Sequence, residues 1–163
     1  MILVSACLLG QKVKYDGGDN LQELLKEAEK EGRFVPVCPE TFGGLQRPRE
    51  PVEIKNGLGE DVLENRAAVL SPTGKDCTAE FIRGADIVLK KAKECHARVA
   101  ILKESSPSCG VHTVYDGTFS HTKIEGQGVC AALLKKNGIQ LYSEKDMTKE
   151  LLAKLIEEDK REN

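Results

Sequence analysis

Short apolar runs that alternate with helical patterns constrain the fold of this chain more than any other feature. The runs are MILVSA, RFVPVC, PVEIK, VAILKE and IQLYS, and their length and β-branched content are typical of strands. Helical spacing of apolar residues marks the segments NLQELLKEAEKEG, DCTAEFIRGADIVLKKAKECHA, GVCAALLKKNG and TKELLAKLIEEDKREN. Strands that alternate with helices form largely parallel sheets, because each helix crosses a face of the sheet. The sequence therefore predicts a Rossmann-like, three-layer α/β fold with a mostly parallel sheet and helices on both faces.

One stretch interrupts the alternation. Residues 41–75 are rich in Gly and Pro, and we expect them to form a short hairpin or a flap over an active site. The chain has 163 residues and is 40% apolar, which is the usual range for one compact domain. We therefore expect residues 1–163 to form a single α/β domain.

The charge and hydropathy patterns exclude several partner classes. A net charge of −2, with Lys and Arg spread along the chain, argues against stable nucleic-acid binding. No apolar stretch approaches the roughly 20 residues that span a bilayer. MILVSACLLG has no basic segment before it and no cleavage pattern after it, so we interpret it as a buried strand rather than a signal peptide. These observations predict a cytoplasmic protein with no membrane partner, and they do not indicate an oligomeric state.

Three of the six cysteines follow predicted strands. Cys7 directly follows the first run, Cys38 ends the second, and Cys109 follows the fourth in KESSPSCG. In an open parallel sheet, the carboxyl ends of the strands share one edge, where ligands bind near a switch in strand order. Because disulfides are rare in the cytosol, metal binding or catalysis is the expected use of thiols that are not simply buried. We therefore expect these three thiols to meet at one metal or cluster site.

The spacing of the thiols leaves the bound metal open. Three thiolates without an obvious fourth suit either zinc or a [4Fe–4S] cluster with one open iron. His112 follows Cys109 at a spacing that zinc sites use, although a histidine in a loop is more often solvated. His96 and His121 are interpreted as surface residues. Packing in the core is the better explanation for the other three cysteines, which are Cys77, Cys95 and Cys130.

Several polar side chains lie close to these thiols in sequence. Glu40, two residues after the second thiol, is either a surface carboxylate or a proton carrier beside a metal centre. Ser105, Ser106 and Ser108 surround Pro107, where hydroxyls commonly bond to a turn backbone but can equally hold a substrate. YDGG and YDGTF are typical Asp-Gly turns. The sequence has no GxGxxG, Walker, GxSxG or HExxH motif, which argues against dinucleotide, nucleoside-triphosphate and common hydrolase chemistry.

Several motifs together resemble the thiouracil desulfidase family over residues 1–144. They are SACLLG, VKYDGG, VPVCPETFGGL, ILKESSPSCG, VYDGTF and GQGVCAALL, in this order. The resemblance implies a [4Fe–4S] cluster held by Cys7, Cys38 and Cys109, with the sulfur of a thiocarbonyl substrate on the fourth iron. It also implies that water replaces this sulfur and that sulfide leaves without net redox change. Such chemistry is reasonable because soft iron binds soft sulfur and polarises the C=S bond as a Lewis acid.

The same resemblance suggests roles for individual residues. Glu40 corresponds to the acid/base residue of the family, and Ser106 is the best match for an assisting hydroxyl. Asp16, Lys103 and Ser108 are predicted to bind the substrate. Relatives that act on thiolated transfer RNA carry a further domain, so we expect a small thiolated base or thioamide as the substrate here. The alternative is a zinc- or iron–sulfur-binding module with a sensing or sulfur-carrier role and no turnover.

Overall fold

The structure of the protein is a computed structural model that describes residues 1–162. Short 3-10 turns occupy Ala6–Leu9, Glu29–Glu31 and Glu144–Asp146. The strands and α-helices, in chain order, are β1 (Ile2–Ser5), α1 (Glu23–Ala28), β2 (Phe34–Val37), α2 (Pro39–Phe42), β3 (Glu53–Lys55), α3 (Gly59–Leu63), β4 (Ala68–Leu70), α4 (Thr78–Glu94), β5 (Val99–Leu102), β6 (Thr113–Tyr115), β7 (Lys123–Glu125), α5 (Val129–Lys136), β8 (Gln140–Ser143) and α6 (Lys149–Glu162).

A parallel sheet of four strands forms the centre of the fold. Its spatial order is β2-β1-β5-β8, so four of the five predicted runs lie side by side. Val4 of β1 pairs with Pro36 of β2 and with Ile101 of β5. Pro36 is tolerated because β2 is an edge strand, where a backbone N–H is not needed on the outer side. The chain leaves β1 toward β2 and later returns to β5 on the other side, so the strand order switches between β1 and β5.

Helices cover both faces of this sheet. Successive residues of a strand point to opposite faces, so each strand contributes to two apolar layers. Ile2 and Val4 belong to a cluster that includes Leu25 of α1 and Leu155 of α6. Leu3 belongs to the other cluster, with apolar residues of α4 and α5. The predicted α/β fold, with a mostly parallel sheet and helices on both faces, is confirmed.

Two antiparallel hairpins lie outside the sheet. β3 and β4 form the hairpin that was expected within residues 41–75, so PVEIK belongs to this hairpin and not to the parallel sheet. β6 and β7 form a second hairpin around the predicted Asp-Gly turn of YDGTF, and the sequence did not predict these strands. The predicted helix before Gly32 ends there as expected, with Gly32 at φ +74°. Within residues 1–162, no helix is both long enough and apolar enough to cross a membrane.

Candidate functional site

A cavity of about 520 Å³ lies at the carboxyl ends of β1, β2 and β5. The loops after these strands line it, and so do residues of both hairpins. The cavity therefore lies where the strand order switches, which is the usual ligand position in an open parallel sheet. Cys7, Cys38 and Cys109 all line it, and within residues 1–162 no other cysteine does.

Cys7 and Cys38 reach the cavity from short helical turns that start where a strand ends. Cys7 lies in the 3-10 turn after β1, and its carbonyl accepts a hydrogen bond from the backbone N–H of Asn20 at 3.0 Å. Cys38 is the N-cap of α2 and keeps an extended backbone at φ −138°. A Cβ on Gly84 of α4 would lie 1.8 Å from the carbonyl oxygen of Pro39, so a glycine is required for α2 to rest on α4.

Cys109 reaches the cavity from the loop of residues 103–112, which follows β5 and is fastened to α5. The N–H groups at the start of α5 lack partners within the helix and bond to this loop instead. Val129 donates to the carbonyl of Pro107 at 2.8 Å, and Cys130 donates to that of Ser108 at 2.9 Å. The side chain of Cys109 is thereby held in a buried position, 5% exposed.

Glu104 organises the same loop from inside. Its side chain is buried, and one carboxylate oxygen accepts N–H bonds from Ser105, Val111, His112 and Thr113 at 2.9–3.2 Å. Burial acts to raise the pKa of Glu104, but these four backbone bonds outweigh it and lower the pKa. Glu104 was not among the predicted site residues, and its only signal was a carboxylate two positions after the apolar run VAIL.

Cys38 lies close enough to Cys7 and Cys109 to act on the pKa of both thiols. Burial raises the pKa of Cys109 to about 12, and the neighbouring Cys7 and Cys38 add to this effect. Burial also raises the pKa of Cys7, and Cys38 contributes again. Within residues 1–162, no three His, Cys, Asp or Glu side chains converge on one point as the ligands of a single metal ion do. In a [4Fe–4S] cluster each cysteine binds a different iron, so thiols that face one shared cavity suit this cofactor.

A chain of hydrogen bonds links Glu40 to the loop that carries Cys109. The hydroxyl of Ser108 donates to one Glu40 oxygen at 2.9 Å, and the hydroxyl of Ser106 lies 3.0 Å from that of Ser108. The Ser106 oxygen also accepts the backbone N–H groups of Ser108 and Cys109, each at 3.1 Å. Because Ser108 donates to Glu40, the Ser106 hydroxyl donates to Ser108. Glu40, which is 68 residues from Ser108 in sequence, therefore meets the two serines at the cavity.

Arg49 pairs with the second oxygen of Glu40. Its side chain is 10% exposed, and Nη1 also donates to the carbonyl of Gln46 at 2.9 Å. Its backbone N–H donates to the carbonyl of Tyr15 at 2.7 Å, which joins the segment LQRPREP to the loop after β1. Arg49 was not among the predicted site residues, because nothing in its local sequence indicates which carboxylate it will face.

Lys103 and Asp16 were predicted to bind the substrate, and they lie in different places. Lys103 lines the cavity, and its ammonium group is 2.8 Å from the carbonyl of Glu104 and 3.2 Å from Glu144. Asp16 is exposed, does not line the cavity, and accepts the N–H of Gly18 at 2.9 Å, which closes the Asp-Gly turn. A role for Asp16 in substrate binding thus stays a prediction without geometric support.

The remaining histidines and cysteines occupy other positions. His112 is exposed and contacts Asp146 at 2.8 Å, and this hydrogen bond raises the pKa of His112. His112 does not line the cavity with the thiols, whereas His121 lies at its exposed rim. The other three cysteines pack in or against the apolar layer formed with α4 and α5, as predicted; they are Cys77, Cys95 and Cys130.

Known proteins resemble this chain in both sequence and fold. The profile of a family described as 2-thiouracil desulfurase matches residues 2–146. "Uncharacterized protein YbbK" of Bacillus subtilis (strain 168) is 46% identical over 147 residues, which are 90% of this chain and 97% of that protein. A solved structure described as "[4Fe-4S]-dependent thiouracil desulfidase TudS" matches with a TM-score of 0.80 and 42% identity, covering 93% of this chain and 95% of that one. The chain therefore belongs to the 2-thiouracil desulfurase family.

Proposed function

We propose that this protein is an iron–sulfur-dependent desulfidase that removes sulfur from thiouracil-like thiocarbonyl compounds. The observation that carries the proposal is the meeting of three cysteine thiols and a hydrogen-bonded carboxylate in one cavity. Membership of the 2-thiouracil desulfurase family supports it, and so does the likeness to a protein described as a [4Fe-4S]-dependent thiouracil desulfidase.

The cysteines present fit a [4Fe–4S] cluster. Cys7, Cys38 and Cys109 would hold three of its irons, and no fourth cysteine of the described chain faces the cavity. When bound, the cluster supplies an open, soft, Lewis-acidic iron for the sulfur of the substrate. The positive charge of bound irons would favour the thiolate form of these cysteines, which would offset the effect of burial on the pKa of Cys7 and Cys109.

We assign to Glu40 the transfer of the protons that the reaction must move. The overall change, R₂C=S + H₂O → R₂C=O + H₂S, transfers protons and no electrons. Water must lose protons as its oxygen bonds to carbon, and the departing sulfide must gain them. A carboxylate beside the reacting group can accept the first proton and return it, acting as general base and then as general acid. Arg49 and Ser108 hold one carboxylate oxygen each and so fix the orientation of Glu40.

The two serines extend this proton path. Ser108 donates to Glu40 and accepts from Ser106, so a proton can pass along the hydroxyls when Glu40 changes its protonation state. Two backbone N–H groups donate to the Ser106 oxygen, which leaves the hydroxyl hydrogen of Ser106 to point toward Ser108. We assign Ser106 and Ser108 to proton relay or to holding the attacking water, and Glu40 to acid–base catalysis.

The size and charge of the cavity favour a small substrate. Its volume of about 520 Å³ lies within the range of small-molecule sites, which is roughly 300–1,000 Å³. Lys103 is a cation on its wall and can stabilise a negatively charged thiolate or sulfide. A free thiolated base or a thioamide fits these properties. We propose that the protein does not bind nucleic acid stably.

The variant Glu40→Gln tests the proposal, because it separates binding from proton transfer. Protein prepared without oxygen should bind iron and labile sulfide and should release uracil and sulfide from 2-thiouracil. The variant should keep its iron and its affinity for thiouracil while turnover falls at least ~10²-fold. Exposed Glu94 provides the matched control, and Glu94→Gln should leave iron content and turnover unchanged. Wild-type protein that holds the cluster but never converts 2-thiouracil would contradict a desulfidase and favour a sensing or carrier module.

A further inference from the structure

Three aromatic side chains line the cavity, and this aromatic wall belongs to no part of the proposed chemistry. The chain has four Phe, three Tyr and no Trp, and three of these seven rings line this cavity. Tyr115 and Phe119 come from the β6–β7 hairpin, and Tyr15 comes from the loop after β1. All three rings are only partly covered or exposed, and none is part of the two apolar core clusters. Aromatic surface that faces a cavity instead of the core is available to a ligand.

The backbone that carries Phe119 adopts a conformation that its sequence does not favour. Phe119 has φ +58° and His121 has φ +61°, and both belong to the left-handed region that bulky side chains rarely occupy. Gly117 precedes them at φ +92°, and a Cβ there would lie 2.7 Å from the carbonyl oxygen of Ile54. Strained positions of this kind persist only where the surrounding structure imposes them, and they cluster at ligand sites.

Glu53 holds this conformation from the neighbouring hairpin. It is the first residue of β3, its side chain is 9% exposed, and it also lines the cavity. One carboxylate oxygen accepts the N–H of Gly117 at 2.9 Å and that of Phe119 at 3.3 Å. A buried carboxylate on one hairpin therefore fixes the tip of the other hairpin, and it does so next to the cavity. This arrangement explains how a strained loop can present Phe119 in a constant position.

The chemistry of desulfuration leaves the choice of substrate ring unexplained. The thiols and Glu40 act on the C=S group, which a ring such as thiouracil shares with an open-chain thioamide. A pyrimidine ring differs by being flat with two π faces, and an aromatic side chain recognises this property by stacking. Building on the proposed function, we infer that the aromatic wall selects planar heteroaromatic thiocarbonyl compounds as substrates. Phe119 is the specificity-determining contact, and Glu53 is the residue that positions it.

The inference is tested by comparing ring and open-chain ligands on cluster-loaded protein. Phe119→Ala should raise the KM for 2-thiouracil and the Kd for uracil, measured by calorimetry, about 5-fold or more, as loss of a base-stacking contact does. Phe119→Leu keeps the apolar volume but has no π face, so it should bind uracil and 2-thiouracil nearly as weakly as Phe119→Ala. In both variants the kcat for 2-thiouracil should stay within about 3-fold of the wild-type value. The KM for the open-chain thioamide thioacetamide should not rise to match. Glu125→Ala is the control, because Glu125 is exposed on β7 of the same hairpin and does not line the cavity.

A double variant separates positioning by Glu53 from a general effect on folding. Glu53→Gln should raise the uracil Kd in the same direction as Phe119→Ala, with iron content unchanged. Adding Glu53→Gln to Phe119→Ala should cause no further loss, because a residue that acts through Phe119 has nothing left to position. Additive losses would overturn the role of Glu53, and unchanged KM and Kd in folded Phe119→Ala would overturn the selection by Phe119. Absence of turnover in wild type would instead contradict the proposed function, and the uracil Kd would still decide this inference.

Discussion

Replacing Glu104 by Ala should strongly destabilise the fold, because this buried carboxylate holds the loop after β5. Glu104 is 4% exposed, and its oxygen accepts hydrogen bonds from four backbone N–H groups between residues 105 and 113. Alanine removes the acceptor and leaves all four donors without a partner in the protein. The affected loop carries Ser106, Ser108 and Cys109, so the same change should loosen the proposed cluster site.

The size of the expected destabilisation follows from the number of these bonds and from the negative charge of their acceptor. A hydrogen bond to a charged group contributes about 1.5–3 kcal/mol, so a simple sum over four bonds gives about 6–12 kcal/mol. The four bonds share one oxygen, so their contributions are not additive. We therefore expect Glu104→Ala to lower the free energy of unfolding by about 3–5 kcal/mol, which is the scale of a broken buried network. Glu104→Gln keeps the shape but loses the charge and should cost less.

Urea unfolding of the cluster-free protein, followed by circular dichroism, measures this loss. Glu125 on β7 is exposed, so Glu125→Ala should stay within about 0.5 kcal/mol of wild type. A loss below about 1 kcal/mol for Glu104→Ala would refute the idea that this carboxylate holds the loop.

The pH dependence provides a second test of the same residue. The pKa of folded Glu104 is lowered, so its carboxylate contributes stability above the unfolded pKa of about 4.3. This contribution is lost as the pH falls through the lower folded pKa. The difference in stability between wild type and Glu104→Gln should therefore be constant from about pH 5.5 to 7.5 and shrink below about pH 4.

Two further predictions concern the cavity. Cys7→Ser, Cys38→Ser and Cys109→Ser should each lose iron and turnover together, whereas Cys77→Ser and Cys95→Ser should keep iron near the wild-type content; an iron-free Cys77→Ser would contradict the choice of ligands. Arg49→Met leaves Glu40 without its ion-pair partner and should lower the free energy of unfolding by about 2 kcal/mol, because the pair is largely buried. Arg49→Lys should recover part of this loss in the same urea titration, and equal stability of Arg49→Met and wild type would show that the pair contributes nothing.

Local patterns were sufficient to predict the architecture and the position of the thiols. β-branched runs separated by amphipathic helices led to the parallel sheet, since each pattern reflects which face of a segment is buried. Parallel strands bring their carboxyl ends to one edge, so cysteines at strand ends could be placed together before any contact was known. The run PVEIK shows the limit of this reasoning. Its composition indicates a strand but does not say which partner it pairs with, and it joins the β3–β4 hairpin instead of the sheet.

The contacts that complete the site were decided by the tertiary structure alone. Ser108 and Glu40 are 68 residues apart, and Glu53 and Gly117 are 64 apart, so no local pattern links either pair. The loops after β2 and β5 face each other only because both strands flank β1 in the sheet. Burial then selects among polar side chains, since a carboxylate such as Glu104 can enter the interior only where enough N–H groups converge on it. The sequence by itself determined the kind of fold and which thiols share an edge. The tertiary structure determined which distant polar groups satisfy one another there.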